Sequence, residues 1–490
     1  MLYRQRQKTA IRIYKNDYVI VGYIENFQNG NSEAFESSGA EFLKAVSRKA
    51  RNLEDLVDEI SNSFADVDRA VIHDDAREFY DSLTDKGLLV SGETTDEIDL
   101  KDTPFSYSNI RPDEKKDHIP GEKKQGKSAL ALVAEKFGGK SRLWELRVEI
   151  TNRCNERCVH CYIPMGERAK APDCDIDTQL FNDVLSQCRK AGLMRLTLTG
   201  GEPMLHRNFL DFLKTAFEYD FFVEVFSNLT MLNNEIISAL KSHHILNVRV
   251  SLYSIDPAIH DAITGIHGSF EKTFQGIQRL IEADIPVQIG CMVMRQNKDV
   301  FLDVKEWGKE HGIPVTIDPF IYAPFDHSGA NLGSRLLLEE LEKVLSDIIL
   351  DDVDYLIALK YANSPVKPKL HDERVCGICT FSFSLSPTGD VYPCGGWQNC
   401  VLGNTQKEEI LDIVENSPKV KSLRNVKRKD LPRCFVCEHI DFCHSCLMRN
   451  EVESPVGNMF EINEYFCAAA AIKHRLIIEK IQTNTQGAAK

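Results

Sequence analysis

At 490 residues the chain is longer than one hydrophobic core usually serves, which points to two or three domains. Its 43% hydrophobic and 27% charged residues are those of a globular protein, and no apolar run is long enough to span a bilayer. The net charge of -14 disfavours a nucleic-acid partner, and the opening MLYRQRQKTAIRIYKNDY lacks a signal-peptide core, so a cytoplasmic location is expected.

Residues 1–90 read as a small module. TAIRIY and DYVIVGYI are strand-like, and helical spacing follows in Phe42, Leu43 and Val46, in Leu53, Leu56, Val57 and Ile60, and in Phe79, Tyr80, Leu83 and Leu88. From Ser91 to Lys127 the sequence turns polar, which predicts a linker over 91–127. Residues 128–330 alternate strands, at 144–151, 193–200, 221–228, 246–253, 287–294 and 315–321, with helices. One helix face carries Leu180, Phe181, Val184, Leu185 and Cys188; another carries Phe270, Phe274, Ile277, Leu280 and Ile281. Six βα units imply parallel pairing and right-handed crossovers, hence an α/β fold built on a partial (β/α)6 TIM-like barrel with its site at the strand C-termini. A bridging helical segment over 331–370, a cysteine-rich region over 371–475 and a frayed tail over 476–490 complete the expected order. Basic runs at Lys115–Lys127 and Lys419–Arg433 read as solvated faces.

Fifteen cysteines without a secretory signal point to metal or redox chemistry, because the cytosol keeps thiols reduced. Eleven fall in two groups, leaving Cys174, Cys188, Cys291 and Cys400 outside. In TNRCNERCVHCYIP, directly after strand 144–151, Cys154, Cys158 and Cys161 offer three thiolates. A cubane has four irons, so one iron is left open, as in a catalytic metal site. The second group runs Cys376-x2-Cys379-x9-Gly389-x4-Cys394, Cys434-x2-Cys437-x5-Cys443-x2-Cys446 and Cys467, enough for two four-cysteine sites. By spacing alone, zinc suits both groups as well as iron does.

The CxxxCxxC triplet followed by Tyr162, with TGGEP at 199–203, SN at 227–228, Ser251 and VMRQN at 293–297, resembles the radical S-adenosylmethionine (SAM) superfamily over residues 140–325. The resemblance implies a SAM-cleaving [4Fe-4S] cluster on Cys154, Cys158 and Cys161, with Gly200, Gly201, Glu202, Asn228, Ser251 and Tyr162 at the cofactor; His160 is incidental. The second group resembles the SPASM domain, with two residues where that pattern has three before Cys446. This implies two auxiliary [4Fe-4S] clusters, an inner one on Cys376, Cys379, Cys394 and Cys446 and an outer one on Cys434, Cys437, Cys443 and Cys467, three clusters in all. Cys400 is an alternative ligand or a free thiol, and Gly395 stands where some serine- or cysteine-oxidising SPASM enzymes carry Asp.

Residues 1–90, ending FYDSLTDKGLLV, resemble a winged-helix-like, PqqD-like peptide-recognition element to whose sheet edge a leader peptide adds a strand. Together the modules resemble a radical SAM/SPASM maturase of ribosomally made peptides (RiPPs), of the sactipeptide or ranthipeptide type. That resemblance implies a precursor bound by its leader, a flavodoxin- or ferredoxin-like electron donor, and a 5′-deoxyadenosyl radical that takes hydrogen from a core carbon. A cysteine thioether is the favoured product. Carbon-carbon crosslinking, oxidative decarboxylation, epimerisation and modification of a protein share the architecture.

Overall fold

The structure is a computed structural model that describes residues 1–15, 19–28, 30–103, 105–109, 133, 143–164, 174–242, 245–349, 374–443 and 445–487. The first module has two small sheets. One orders β5 (Arg51–Asn52), β1 (Leu2–Gln5) and β6 (Leu89–Gly92); the other orders β2 (Thr9–Lys15), β3 (Ile20–Asn26) and β4 (Ser32–Glu36). Helices Ser38–Ala45, Leu53–Ser61 and Arg69–Asp85 cover it. Asn52 and Asp68 cap the last two helices by accepting from the backbone N–H of Asp55 and Ala70. The apolar positions read from helical spacing meet in one core, where Leu43, Leu56, Val57, Ile60, Tyr80 and Leu83 are fully or nearly fully buried.

Two boundaries differ from expectation. Ser91 does not begin a loose linker: β6 runs to Gly92, and a further helix, Thr95–Lys101, is capped by Thr94 and buries Ile98 completely. Asp102 then accepts from Arg4 Nη2 at 3.1 Å and from the Gln7 N–H at 3.1 Å. A short helix that buries one face needs few apolar residues, so its composition reads as linker. Residues 110–127 of the expected linker lie outside the described residues, as do 350–370 of the bridging segment. At the other end, the expected tail at 476–490 is helix as far as 487: Glu464–Gly487 is continuous and Ile477 is fully buried. That helix packs along Leu338–Ile349, where Arg475 pairs with Glu342 at 2.8 Å. None of the described helices is long and apolar enough to cross a membrane.

The barrel strands β7 (Glu145–Thr151), β8 (Arg195–Gly200), β9 (Phe222–Ser227), β10 (Ile245–Ser251), β11 (Val287–Met292) and β12 (Val315–Asp318) pair in parallel in chain order. Helices Thr178–Ala191 and Pro257–Thr264 start on Asp177 and Asp256 caps, and Phe181, Leu185, Ile277 and Leu280 fill the layer between sheet and helices. The sheet does not stop at six strands. β13 (Ser382–Leu385) from the cysteine-rich region pairs in parallel with β7, and β14 (Asp390–Tyr392) and β15 (Gly403–Asn404) extend it to nine.

The first module sits on the N-terminal end of this barrel. Alternation sends Ile11 and Ile13 of β2 towards the module's helices, while Ala10 and Tyr14 join Val21 and Tyr23 against Trp144, Met194 and Phe222, which precede or open β7, β8 and β9. Tyr14 stacks on Trp144 at 5.8 Å and Tyr23 meets it edge-on at 4.6 Å. Arg12, buried there, donates to the Leu193 carbonyl at 2.8 Å and the Asp220 carbonyl at 2.6 Å, and Arg195 bridges Glu25 of β3 and Glu145 of β7. The opposite end of the barrel is left for chemistry. Trp144→Ala should cost about 3 kcal/mol, as large aromatic deletions in cores do. Hydrogen exchange should then speed up first in residues 9–26; uniform destabilisation would show that the docking contact is unimportant.

Candidate active site

The cysteine loop begins where β7 ends, and Asp175 fastens it. Its carboxylate accepts from the Thr151 hydroxyl at 2.6 Å and from Arg153 Nε and Nη2 at 3.0 and 2.5 Å. Against the cost of burial, these donors hold the Asp175 carboxyl below its usual range. The Arg157 and Val159 N–H groups donate to the Thr264 and Ile263 carbonyls, at 2.8 and 2.9 Å. Between these anchors Cys154, Cys158 and Cys161 come together: burial, Glu156 and the two other thiols all push the Cys158 thiol up. Three thiols gathered at one strand end are the donor set of an iron-sulfur cluster with one iron left open.

At the end of β8, Gly200 (φ 143°) and Gly201 run against the cysteine loop. A Cβ on Gly200 would lie 2.1 Å from the Thr151 carbonyl oxygen, and one on Gly201 2.1 Å from that of Arg153. The Gly201 and Glu202 N–H groups donate to those same carbonyls at 2.9 and 2.8 Å. Only glycine permits this approach. Glu202 is fully buried and turns towards β9, accepting from the Ser227 hydroxyl (2.8 Å), the Asn228 N–H (2.7 Å) and the Met204 N–H (3.0 Å). Asn228 in turn donates to Asn155 Oδ1, between two of the cysteines, at 3.0 Å. The Ser251 hydroxyl is hydrogen-bonded to the Tyr253 phenol, which lies within electrostatic reach of Cys158 and Cys161. Tyr162 is set behind Cys161 with its ring 6.0 Å from that of Tyr322. Asn297 of VMRQN bonds the Tyr253 and Met292 carbonyls and joins two strand ends. His160 packs edge-on against Tyr253 at 4.8 Å.

The second cysteine group separates into two sets. Burial pushes the Cys394 thiol up to about 12, with Cys446 and Cys376 adding to it. Burial does the same for Cys379, with Cys400, Cys394 and Cys376 next to it. Burial, then Cys443 and Cys434, raise Cys467 to about 11, and Cys443 and Cys437 act on Cys434. Chain-distant cysteines thus interleave, Cys446 with the first set and Cys467 with the second. No three His, Cys, Asp or Glu groups among the described residues close on one ion-sized point. Cys188 and Cys291 are buried in the core.

Several site residues were not singled out in the sequence. Asn155, Asp175, Tyr253 and Gln398 take their places only through tertiary contact; Gln398 Nε2 donates to both Glu149 carboxylate oxygens, at 2.9 and 2.8 Å. A signal existed for Arg147 and Glu149: charges alternating along a parallel strand that should read as continuously apolar.

Comparison with known proteins agrees with this architecture. Residues 148–308 match the radical SAM superfamily, 376–438 the SPASM iron-sulfur cluster-binding domain and 26–89 coenzyme PQQ synthesis protein D. The chain is 25% identical over 338 residues to an AdoMet-dependent heme synthase of Methanosarcina barkeri, covering 65% of this chain and 94% of that protein. It is 24% identical over 275 residues to a PqqA peptide cyclase of Rhodopseudomonas palustris, covering 54% and 69%. It is 25% identical over 315 residues to the subtilosin biosynthesis protein AlbA of Bacillus subtilis, covering 61% and 66%. The fold is shared with Streptococcus suis SuiB crystallised with its precursor peptide SuiA, at TM-score 0.59 and 14% identity over 94% of this chain and 99% of that one. The fold and site therefore define a radical SAM barrel carrying SPASM and PqqD-like domains. The chain carries a radical SAM domain over 148–308 and a SPASM domain over 376–438, and these domains imply SAM and iron-sulfur clusters.

Two measurements follow from this geometry. Gly201→Ala should displace the loop and weaken SAM binding tenfold or more, about 1.4 kcal/mol; calorimetric titration at unchanged affinity would refute the close approach. Burial pushes the Glu202 carboxyl from 4.5 up to about 7, against the three hydrogen bonds it accepts. The folded chain therefore holds a proton that the unfolded chain releases. This group's contribution is complete below pH 4.5 and is lost as pH rises towards about 7, on the order of 3 kcal/mol. Denaturant unfolding across that window should show a fall in stability that Glu202→Gln flattens.

Proposed function

We propose that the chain matures a ribosomally made peptide, holding the leader at residues 1–90 and forming a cysteine thioether in the core. The observation that carries this reading is the coupling, in one fold, of a PqqD-like module docked on one end of the barrel to a cysteine triplet at the other. Similarity to proteins named PqqA peptide cyclase and subtilosin biosynthesis protein AlbA supports a peptide substrate, as does a shared fold with SuiB bound to SuiA. β4 is an outer strand of its sheet, open to an added leader strand.

In this reading Cys154, Cys158 and Cys161 hold the SAM-cleaving cluster. Cys376, Cys379, Cys394 and Cys446 hold the inner auxiliary cluster, and Cys434, Cys437, Cys443 and Cys467 the outer. SAM and its cluster supply, when bound, a 5′-deoxyadenosyl radical that removes hydrogen from carbon. The chain's own part is positioning. Gly200 and Gly201 bring bare backbone to SAM, Asn228 and Ser251 offer polar groups to its carboxylate and ribose, and Tyr162 walls the site. Glu202 shapes the loop through its inward hydrogen bonds. Joining a cysteine sulfur to carbon would release two hydrogens in all, one to the radical and one as a thiol proton, and clusters held by the second cysteine group would supply an acceptor for the remaining electron. Gly395 offers no carboxylate base beside Cys394, which separates this chain from the serine- or cysteine-oxidising SPASM enzymes that carry Asp there. The protein acts in the cytoplasm with a flavodoxin- or ferredoxin-like donor. Carbon-carbon crosslinking is the second reading, favoured by the similarity to a peptide cyclase.

Anaerobic reconstitution should give about twelve irons per chain, four for each of three cubanes. With the peptide encoded beside its gene, the product should lose two hydrogens and one alkylatable thiol. A two-hydrogen loss with every thiol still alkylatable would replace the thioether by the second reading, and unchanged mass would remove both. Cys154→Ala should abolish 5′-deoxyadenosine formation.

A further inference from the structure

Arg147 is a charge inside the barrel that no acid pairs with among the described residues. It lies on β7, in register with Thr197 of β8 and Ser384 of β13. Its Cζ stands 5.1 Å from the centroid of the Phe226 ring on β9, and Arg249 of β10 approaches the same ring at 5.3 Å. The side chain is half-buried and makes no ion pair or hydrogen bond among the described residues. The acids on its own strand are engaged elsewhere: Glu145 with Arg195 at 3.1 Å, Glu149 with Gln398. Glu224, in register with Thr197, accepts from the Thr197 hydroxyl at 3.3 Å.

Its position is specific. A Cβ on Gly395, the residue after Cys394, would lie 2.6 Å from Arg147 Nη1, so the guanidinium fills the space towards which a side chain there would point. It acts electrostatically on Cys394, Tyr162 and Tyr322, in each case opposing the upward push of burial. Arg147 is therefore near Cys394, Tyr162 and Tyr322. Withdrawing a guanidinium from water is unfavourable unless an anion joins it, and an aromatic face offsets only about 0.5–2 kcal/mol. A planar fork of N–H donors matches a carboxylate in two-point contact.

We propose that Arg147 is an anion subsite for a carboxylate of the bound peptide, from an acidic side chain or its C-terminus, which sets the register in which the core enters the barrel. This rests on the peptide-maturase reading. The subsite is a specificity determinant: it decides which carbon and which sulfur lie within reach.

The test uses the reconstituted full-length enzyme and the precursor encoded beside its gene, with its core acids changed singly to amides and its C-terminus amidated in a separate peptide. Iron content serves as the control for assembly. Arg147→Gln should raise KM at least tenfold with a smaller change in kcat, and raise the Kd of a leaderless core peptide measured by anisotropy. One amidated peptide should show the same loss with the native enzyme. Combining it with Arg147→Gln should add nothing, and Arg147→Lys should restore part. A side-chain amide or the C-terminal amide, whichever responds, identifies the source of the carboxylate. If Arg147→Gln with full iron processes the parent peptide as the native enzyme does, or if every amidated peptide is processed like the parent, Arg147 is not a substrate site. If the native enzyme neither binds nor alters any precursor, the maturase reading falls and this inference with it.

Discussion

The functional end of the barrel depends on one close approach, the backbone of Gly200 and Gly201 against the carbonyls of Thr151 and Arg153. Two parallel strands could end at any separation. Here the next two N–H groups after β8 are spent on the cysteine loop, so the loop's position is set by backbone geometry before any metal binds. Glu202 carries the constraint one strand further, because its carboxylate accepts from Ser227 and Asn228 at the end of β9. Asn228 closes the circuit by donating to Asn155, within the triplet. Three strand ends and the cysteine loop are thus a single hydrogen-bonded unit. A carboxylate used in this way is buried to serve as scaffold, which explains why it carries a raised pKa without facing open solvent.

Much of this was legible in the sequence. The six barrel strands appear within a few residues of where alternation and apolar runs put them, and the two strand-like stretches of the first module are β2 and β3. Helical faces such as Phe181, Val184, Leu185 and Cys188 are buried as their spacing requires. What sequence periodicity could not supply was contact between distant segments. β13 has four residues and no strong alternation of its own; it becomes a strand because β7 offers an open edge beside it. The helix Thr95–Lys101 hides in polar sequence because Ile98 alone needs burial. The last helix runs past its expected end, and Ile477 within it is fully buried.

The site shows the same division. Cysteine spacing identified the two groups, and motif order along successive strands located the glycines, Asn228 and Ser251. Spacing does not reveal a side chain's second partner. The resemblance places Glu202 at the cofactor, yet its carboxylate accepts three hydrogen bonds from the protein itself. Gln398 carries no motif, and it matters because the C-terminal region folds back until its amide covers Glu149 of the first barrel strand.

The inward side of β7 shows how the three domains share one barrel. Alternation aligns Glu145, Arg147 and Glu149 along it, a spacing that a fully apolar parallel strand would not show. The lowest charge, Glu145, joins Arg195, which also holds Glu25 of the PqqD-like module. The highest, Glu149, is held by Gln398 of the cysteine-rich region. Glu145 is thus paired by Arg195, which the first module shares through Glu25, and Glu149 is hydrogen-bonded by the cysteine-rich region. Arg147 lies between them with an aromatic ring on one side and a glycine on another, and neither neighbour is an anion. Since β7 spans about 20 Å from the docked module to the cysteine loop, this middle position is also where an incoming chain would meet the barrel wall between the two. Among the described residues, then, the end charges of this strand face are held by protein groups while the central one meets an aromatic ring, the asymmetry on which the anion subsite rests.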